Sequence, residues 1–331
     1  MHKYLHIRIA AIFILFFIFG RFPIADTSKK LKNEPILPIP FEIDLDAEKV
    51  SLGEDLFNDP GLSRNNRMSC AQCHQLARGG DDDLARSITN SGDADTINAP
   101  TVFNSVFNFR QTWRGAFKTL EAQAEGDLKN PRHSATNWKA LIPYLNTNTG
   151  YVNRFTEIYP QGITRETVLN AIATYEKSLI TPNSRFDQYL RGDDNILSYN
   201  ELYGYRLFKY YGCIACHQGV NVGGNVFQKF GLFDNYFKYR GNITKADYGL
   251  MNVTGNKKDR FVFKVPALRN IEVTGPYLHD GSTQELKDVI KIMAKFQLGI
   301  SIPDEHISNI EKFLHTLTGE YKGKSLAPST K

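Results

Sequence analysis

"SCAQCH" at residues 69–74 and "GCIACH" at residues 212–217 contain all four cysteines of this 331-residue chain. Each is a Cys-x-x-Cys-His pattern, and 143 positions separate Cys70 from Cys213. Two thiols one helical turn apart can both form thioethers to one haem, while the next residue aims an imidazole at its iron. A disulfide or a thioredoxin-type redox pair would not need the histidine. A zinc site built from both thiol pairs usually brings them within about 20 residues of each other. The pattern therefore predicts two covalently bound c-type haems, one on Cys70 and Cys73 with His74, the other on Cys213 and Cys216 with His217.

Working outward, the two motifs sit in matching surroundings. Gly53-x-x-Leu56-Phe57 precedes the first and Gly204-x-x-Leu207-Phe208 the second; a glutamine and a Gly-Gly pair, Gly79-Gly80 or Gly223-Gly224, follow each. This reads as an old internal duplication whose halves need not share a task. Helical periodicity dominates elsewhere. Val168, Ile172, Tyr175 and Leu179 form one stripe, in a helix expected to start near Thr164, and Ile307, Ile310, Phe313, Leu314 and Leu317 form another between Asp304 and Gly319. The fold class expected is mainly α, with two cytochrome c-like helical domains over 42–190 and 196–320, each carrying one haem. The polar, turn-rich stretch 181–195 is the expected junction.

Lys3 and Arg8 precede the apolar run "IAAIFILFFIFG", so residues 1–25 read as a signal peptide or an N-terminal membrane anchor, with export to the periplasm. Export suits c-type haem, since free thiols in an oxidising compartment tend to be lost. The formal charge of +5 falls to +2 without Lys3, Arg8 and Arg21, leaving 37 basic against 35 acidic residues. Those charges are scattered, which excludes a nucleic-acid partner.

An iron with two protein ligands shuttles electrons; one with an open position can bind a small molecule. Beyond the leader and the motifs, the candidate second ligands are His133, His279, His306, His315, Met68, Met251 and Met293. Met68 sits too close to Cys70 to reach across its own haem. Met293 follows His217 in the order expected of a His/Met cytochrome, although Leu286, Val289, Ile290 and Met293 also form a core stripe. Met251 is the weaker competitor, and His306 and His315 stand off the apolar stripe of the last helix. After Met68 the N-terminal half offers only His133. One well-supplied haem and one nearly bare haem point to a catalytic centre fed by an electron-transfer centre.

The sequence resembles the bacterial di-haem cytochrome c peroxidases from about Leu52 to Gly319. The resemblance rests on "LFNDPGLSRNNRMSCAQCH", "NAPTVFNSVFN", "LITPNSRFDQYLRGD", "GCIACHQGVNVGGN", "FKVPALRNIEVTGPYLHDGS", "MAKFQLG" and the closing "FLHTLTGEY". It implies reduction of hydrogen peroxide at the N-terminal haem, with electrons entering at the C-terminal haem from a small cytochrome c or copper protein. It implies Met293 as the second ligand of the C-terminal iron, Trp113 between the haems, and Gln123 in the peroxide pocket. It further implies a calcium ion held by Asn98 and the carbonyls of Thr274 and Pro276, hard oxygen ligands that suit that ion. Relatives commonly form homodimers.

The chain departs from the family at three places. Where many members hold a histidine on the peroxidatic iron, this sequence has Asn90, so that haem is expected to be permanently open. The family's "WDGR" becomes Trp113-Arg114-Gly115-Ala116. The distal glutamate of N-P-x-E-M falls on His133. Three roles then compete for His133: the acid–base group in place of the glutamate, a ligand that closes the iron, or a solvent-facing loop residue. Two other functions stay open beside the peroxidase. One is a non-catalytic di-haem electron carrier or redox sensor. The other is a protein-modifying di-haem oxidase, disfavoured because that branch has tyrosine where this chain has Met293.

Overall fold

Two glycines set the helix crossings that organise each half. The computed structural model describes residues 31–328, so the 1–25 leader lies outside the described residues. Helices α1 (Ala47–Asn58), α2 (Cys70–Cys73), α3 (Leu120–Lys129), α4 (Trp138–Thr147), α5 (Thr149–Ile158) and α6 (Arg165–Ser178) precede the middle of the chain. They are followed by α7 (Arg185–Leu190), α8 (Tyr199–Tyr210), α9 (Tyr236–Arg240), α10 (Met251–Thr254), α11 (Leu286–Met293) and α12 (Asp304–His315). Strands are confined to two short antiparallel pairs, Phe227–Lys229 with Val262–Lys264 and Glu320–Tyr321 with Lys324–Ser325.

In the first half α1 crosses α6 at Gly53, where an added Cβ would strike the Ala171 carbonyl; in the second, α8 crosses α12 at Gly204, where it would strike the Asn309 carbonyl. Only glycine lets the backbones approach so closely. Leu52, Leu56, Val168 and Ile172 fill the first core, and Leu207, Phe208, Ile310 and Phe313 belong to the second. Helix α6 starts where expected: the Thr164 side chain caps Thr167 N–H, and the Thr167 hydroxyl returns the contact to Thr164 N–H. Helix α12 ends at His315, before Gly319, because Thr316–Thr318 close it with short turns.

The stretch 181–195, read as the junction, is structured. It contains α7, whose Phe186 and Leu190 are fully buried in the second core. Three of its polar residues, Thr181, Ser184 and Asp187, are buried too: Ser184 caps α7, and Asp187 pairs with Arg269 at 2.8 Å, both groups of that pair almost solvent-free. Polarity here marks an internal ion pair and a helix cap, features that composition cannot separate from a surface linker. Among the described residues no helix is long and apolar enough to cross a membrane.

Candidate active site

The Cys70–Cys73 turn opens directly into a cavity of about 500 Å³. Cys70, Cys73, His74, Asn98, Trp113, Gln123 and His133, all singled out from sequence, line it. Helix α3 delivers Gln123, the 130–134 turn after it delivers His133, and the segment 98–113 delivers Asn98 and Trp113.

His74 is held as a metal-ligating histidine should be. Its Nδ1 lies 3.2 Å from the Gly80 carbonyl, and burial lowers its pKa, keeping the ring neutral with Nε2 available. Gly80 and Gly79 adopt positive φ, which carries the chain back under the imidazole. His217 repeats this in the second half: burial, opposed by nearby backbone at Val222 and Pro266, takes its pKa down to about 4, and its buried Nδ1 has no formed hydrogen bond. No disulfide joins the four cysteines, and burial pushes the Cys70 and Cys73 thiols upward. Lys264, buried in the strand beside Trp113 and without a carboxylate partner among the described residues, is lowered to about 8 by desolvation alone. Two thiols and a neutral imidazole lining a large cavity, with a buried lysine lacking a counter-charge in the strand bonded to Trp113, fit a covalently held group that carries carboxylates, as haem does.

Met293 ends α11, where the helix widens into a π turn over Ala294–Leu298, and packs with Phe296 against an aromatic cluster that includes Phe237 and Phe263. Trp113 packs against this same cluster while lining the first cavity. It donates from Nε1 to the Asn98 carbonyl at 3.0 Å, and its own carbonyl accepts from Lys264 N–H. Asn98 is buried, its N–H bonds the His279 carbonyl at 2.9 Å, and its side-chain nitrogen bonds the Leu84 carbonyl at 3.0 Å. The bond to His279 ties Asn98 to the segment that follows Thr274 and Pro276.

The remaining candidate histidines are occupied elsewhere. His279 Nε2 lies 2.7 Å from Asp247, and although Asp247, His279 and Asp280 could cluster round a metal, Arg240 bridges the two carboxylates and supplies the positive charge. His306 lies between Tyr203 and Tyr211, and His315 faces Glu272. Met251 begins α10, half-buried, while Met68 is buried and lines the first cavity. Asn90 bonds the Arg132 carbonyl through its N–H at 2.8 Å, and its side-chain oxygen is buried without a partner.

His133 neither faces open solvent nor keeps a nitrogen free. Its Nε2 lies 2.9 Å from Asp95 and its Nδ1 3.1 Å from Asp127, which also receives Gln123 Nε2. Asn130 Nδ2 lies 3.1 Å from the same Nδ1, but two carboxylates outweigh one amide. Burial works against the charged ring, yet the bonds to Asp127 and Asp95 raise its pKa to about 9. Burial alone would raise Asp95; hydrogen bonds from His133, Thr96 N–H and Arg132 outweigh it and hold that carboxyl well below its ordinary range. Sequence reasoning passed over Asp127, one turn beyond Gln123 on α3, and Asp95, which carries no motif. It also passed over Glu176, a buried carboxyl with an unpartnered oxygen in the cavity wall, raised to about 8 chiefly by burial.

The family model for di-haem cytochrome c peroxidases matches residues 47–195. Cytochrome c peroxidase Ccp of Escherichia coli is 45% identical over 89% of this chain, which spans 63% of that protein's length. Cytochrome c551 peroxidases of Nitrosomonas europaea and Pseudomonas aeruginosa are 41% and 35% identical over 90% of this chain, covering 89% and 84% of their own. A solved MauG-like protein associated with microbial copper homeostasis is 28% identical with a TM-score of 0.75, covering 87% of this chain and 94% of its own. The diheme peroxidase BthA of Burkholderia thailandensis, 17% identical with a TM-score of 0.66 over 88% of this chain and 93% of its own, shares the fold. With this identity along nearly all of the described residues, and with both Cys-x-x-Cys-His sites in place, the chain belongs to the di-haem cytochrome c peroxidases, a family of oxidoreductases acting on peroxide.

Proposed function

We propose that this chain reduces hydrogen peroxide in the periplasm, H2O2 + 2e⁻ + 2H⁺ → 2H2O, with electrons delivered one at a time by a small cytochrome c or copper protein. In this reading residues 42–190 carry the peroxidatic site, although α7 at their end packs in the second core, and 196–320 form the electron-transfer domain. Electrons enter at Cys213, Cys216 and His217 and reach the cavity at Cys70, Cys73 and His74. The haems, when bound, supply electron storage and the iron at which the oxygen–oxygen bond is cleaved.

The observation that carries the reading is the asymmetry between the two sites: a largely apolar cavity of about 500 Å³ beside His74 with Gln123, Asp127 and His133 among its lining residues, against a thioether and aromatic packing at Met293. Met293 would complete the second site. Trp113, in contact with both regions, would carry electrons across. Gln123 presents its amide to the cavity and would orient peroxide there. Asn98, Thr274 and Pro276 would hold one calcium ion, whose hard oxygen ligands they match, and that ion would tie the Trp113 segment to the second half.

The haem-loaded protein should oxidise a reduced small cytochrome c in a peroxide-dependent manner, and its first haem should be high-spin while the second is low-spin. Absence of turnover together with two low-spin haems in every redox state would favour the electron carrier instead. The altered Arg114-Gly115-Ala116 stretch and the replaced glutamate keep that second reading in play.

A further inference from the structure

The cavity holds a four-residue charge network, and the group in it with free capacity is a carboxylate. Asp95 is nearly saturated: it accepts from Thr96 N–H at 2.6 Å, from Arg132 Nε at 2.9 Å and from His133 at 2.9 Å. His133 uses both ring nitrogens, so as an imidazolium it has no lone pair with which to accept a proton. Asp127 accepts from Gln123 and from His133, which occupies about two of a carboxylate's four lone-pair positions. Its side chain is 37% exposed where Asp95 is 9%.

Position completes the case. Asp127 stands four residues after Gln123 on α3, on the face that lines the cavity with Ala124 and Leu128. It lies close enough to Cys70 and His74 for its charge to act on both. The carboxylate that relatives place at position 133 thus has a counterpart here, reached from the opposite end of the same hydrogen bond.

We propose that Asp127 is the proton-transfer group of the cavity and that His133 is a positioning residue that fixes it. This rests on the peroxidase reading. An Asp127 carboxylate oxygen accepts the proton from one peroxide oxygen and returns it to the other, which leaves as water. The two electrons come from the donor protein and the two further protons from solvent, so Asp127 ends as it began. His133 and Arg132 balance the two carboxylates, so the network carries no net charge. The other titratable groups facing it are Glu176 from α6, His74 from the motif, and Arg114 and Lys129 at the cavity lining.

The test uses the haem-loaded chain and compares wild type with Asp127→Asn, Asp127→Glu and His133→Gln. Asp127→Asn should lower kcat/KM for peroxide on the order of 10²- to 10³-fold, the usual share of a proton-transfer group, without changing kcat/KM for the donor. Asp127→Glu should recover part of that loss. His133→Gln should cost about 10-fold, as orienting partners do, and should remove the alkaline limb of the pH profile that falls near the His133 pKa of about 9. Cyanide supplies a readout apart from turnover: hydrogen cyanide must also lose its proton on binding, so its association with the ferric protein should slow at least about 10-fold in Asp127→Asn. Peroxide turnover and cyanide association within twofold of wild type in Asp127→Asn, or a His133→Gln loss as deep as that of Asp127→Asn, would overturn the proposal. A wild type with no peroxide turnover would instead sink the peroxidase reading beneath it.

Discussion

The two halves are built on one plan and differ at a handful of positions. Phe57 lies 6.4 Å from the His74 ring and 5.2 Å from Tyr175; Phe208 lies 6.4 Å from the His217 ring and 5.2 Å from Phe313. Gly53 meets Ala171 as Gly204 meets Asn309. Superposing these pairs puts Glu176 opposite Leu314, so the cavity wall of the first half carries a buried acid where the second half carries a buried aliphatic chain. The shared framework holds a proximal imidazole neutral in both halves. The differences decide chemistry, because α3 adds polar groups above His74, whereas α11 adds Met293 and aromatic packing to the second half.

The largest expected effect tests the shared part. Gly53→Val and Gly204→Val each push a side chain into a backbone carbonyl of the facing helix, which cannot rotate away. Each should destabilise by about 3 kcal/mol, the upper end for overpacking, measured as denaturation midpoints of the haem-loaded protein. If one is tolerated and the other is not, the two crossings are not equivalent and the duplication is only a likeness of sequence.

A smaller effect tests the difference. The Glu176 pKa, raised from 4.5 to about 8, means that the folded protein keeps a proton that the unfolded chain gives up across that interval. Stability tied to this group is therefore full below about pH 4.5 and is lost as pH rises towards 8. Glu176→Leu, which copies the second half, should flatten that slope and stabilise the protein at pH 9 by about 2 kcal/mol, with little change at pH 4. Thermal midpoints at the two pH values decide it: equal shifts at both would mean that the acid is not buried in its charged form.

This comparison also marks what could be read from the amino-acid order. Both haem sites were legible because Cys-x-x-Cys-His carries its spacing and its ligand within six residues, and the helix crossings because glycine and periodicity are local signals. The helix within 181–195 was not legible because Ser184 and Asp187 are polar yet serve a cap and an internal pair with Arg269, a partner more than eighty residues away. His133 was found but not its state, which depends on Asp95, 38 residues earlier in the chain. Asp127 had one local signal, its spacing from Gln123, and that signal has meaning only once α3 is known to face the cavity.

The contact between the halves yields the finest test. Trp113 touches both the first cavity and the Met293 cluster, and its Nε1–H satisfies the Asn98 carbonyl. Trp113→Phe keeps an aromatic ring in place but removes that donor and part of the packed surface, so stability should fall by about 2 kcal/mol, the sum of an unpaired buried carbonyl and lost packing. Rapid mixing with reduced donor should show the second haem reduced at the wild-type rate, because donor docking is untouched. Its reoxidation by peroxide should be slower if, as proposed, those electrons cross at position 113. If reoxidation keeps its wild-type rate, the two sites communicate by a path that avoids Trp113. The tryptophan would then serve only to seat Asn98, and its loss would appear in stability alone.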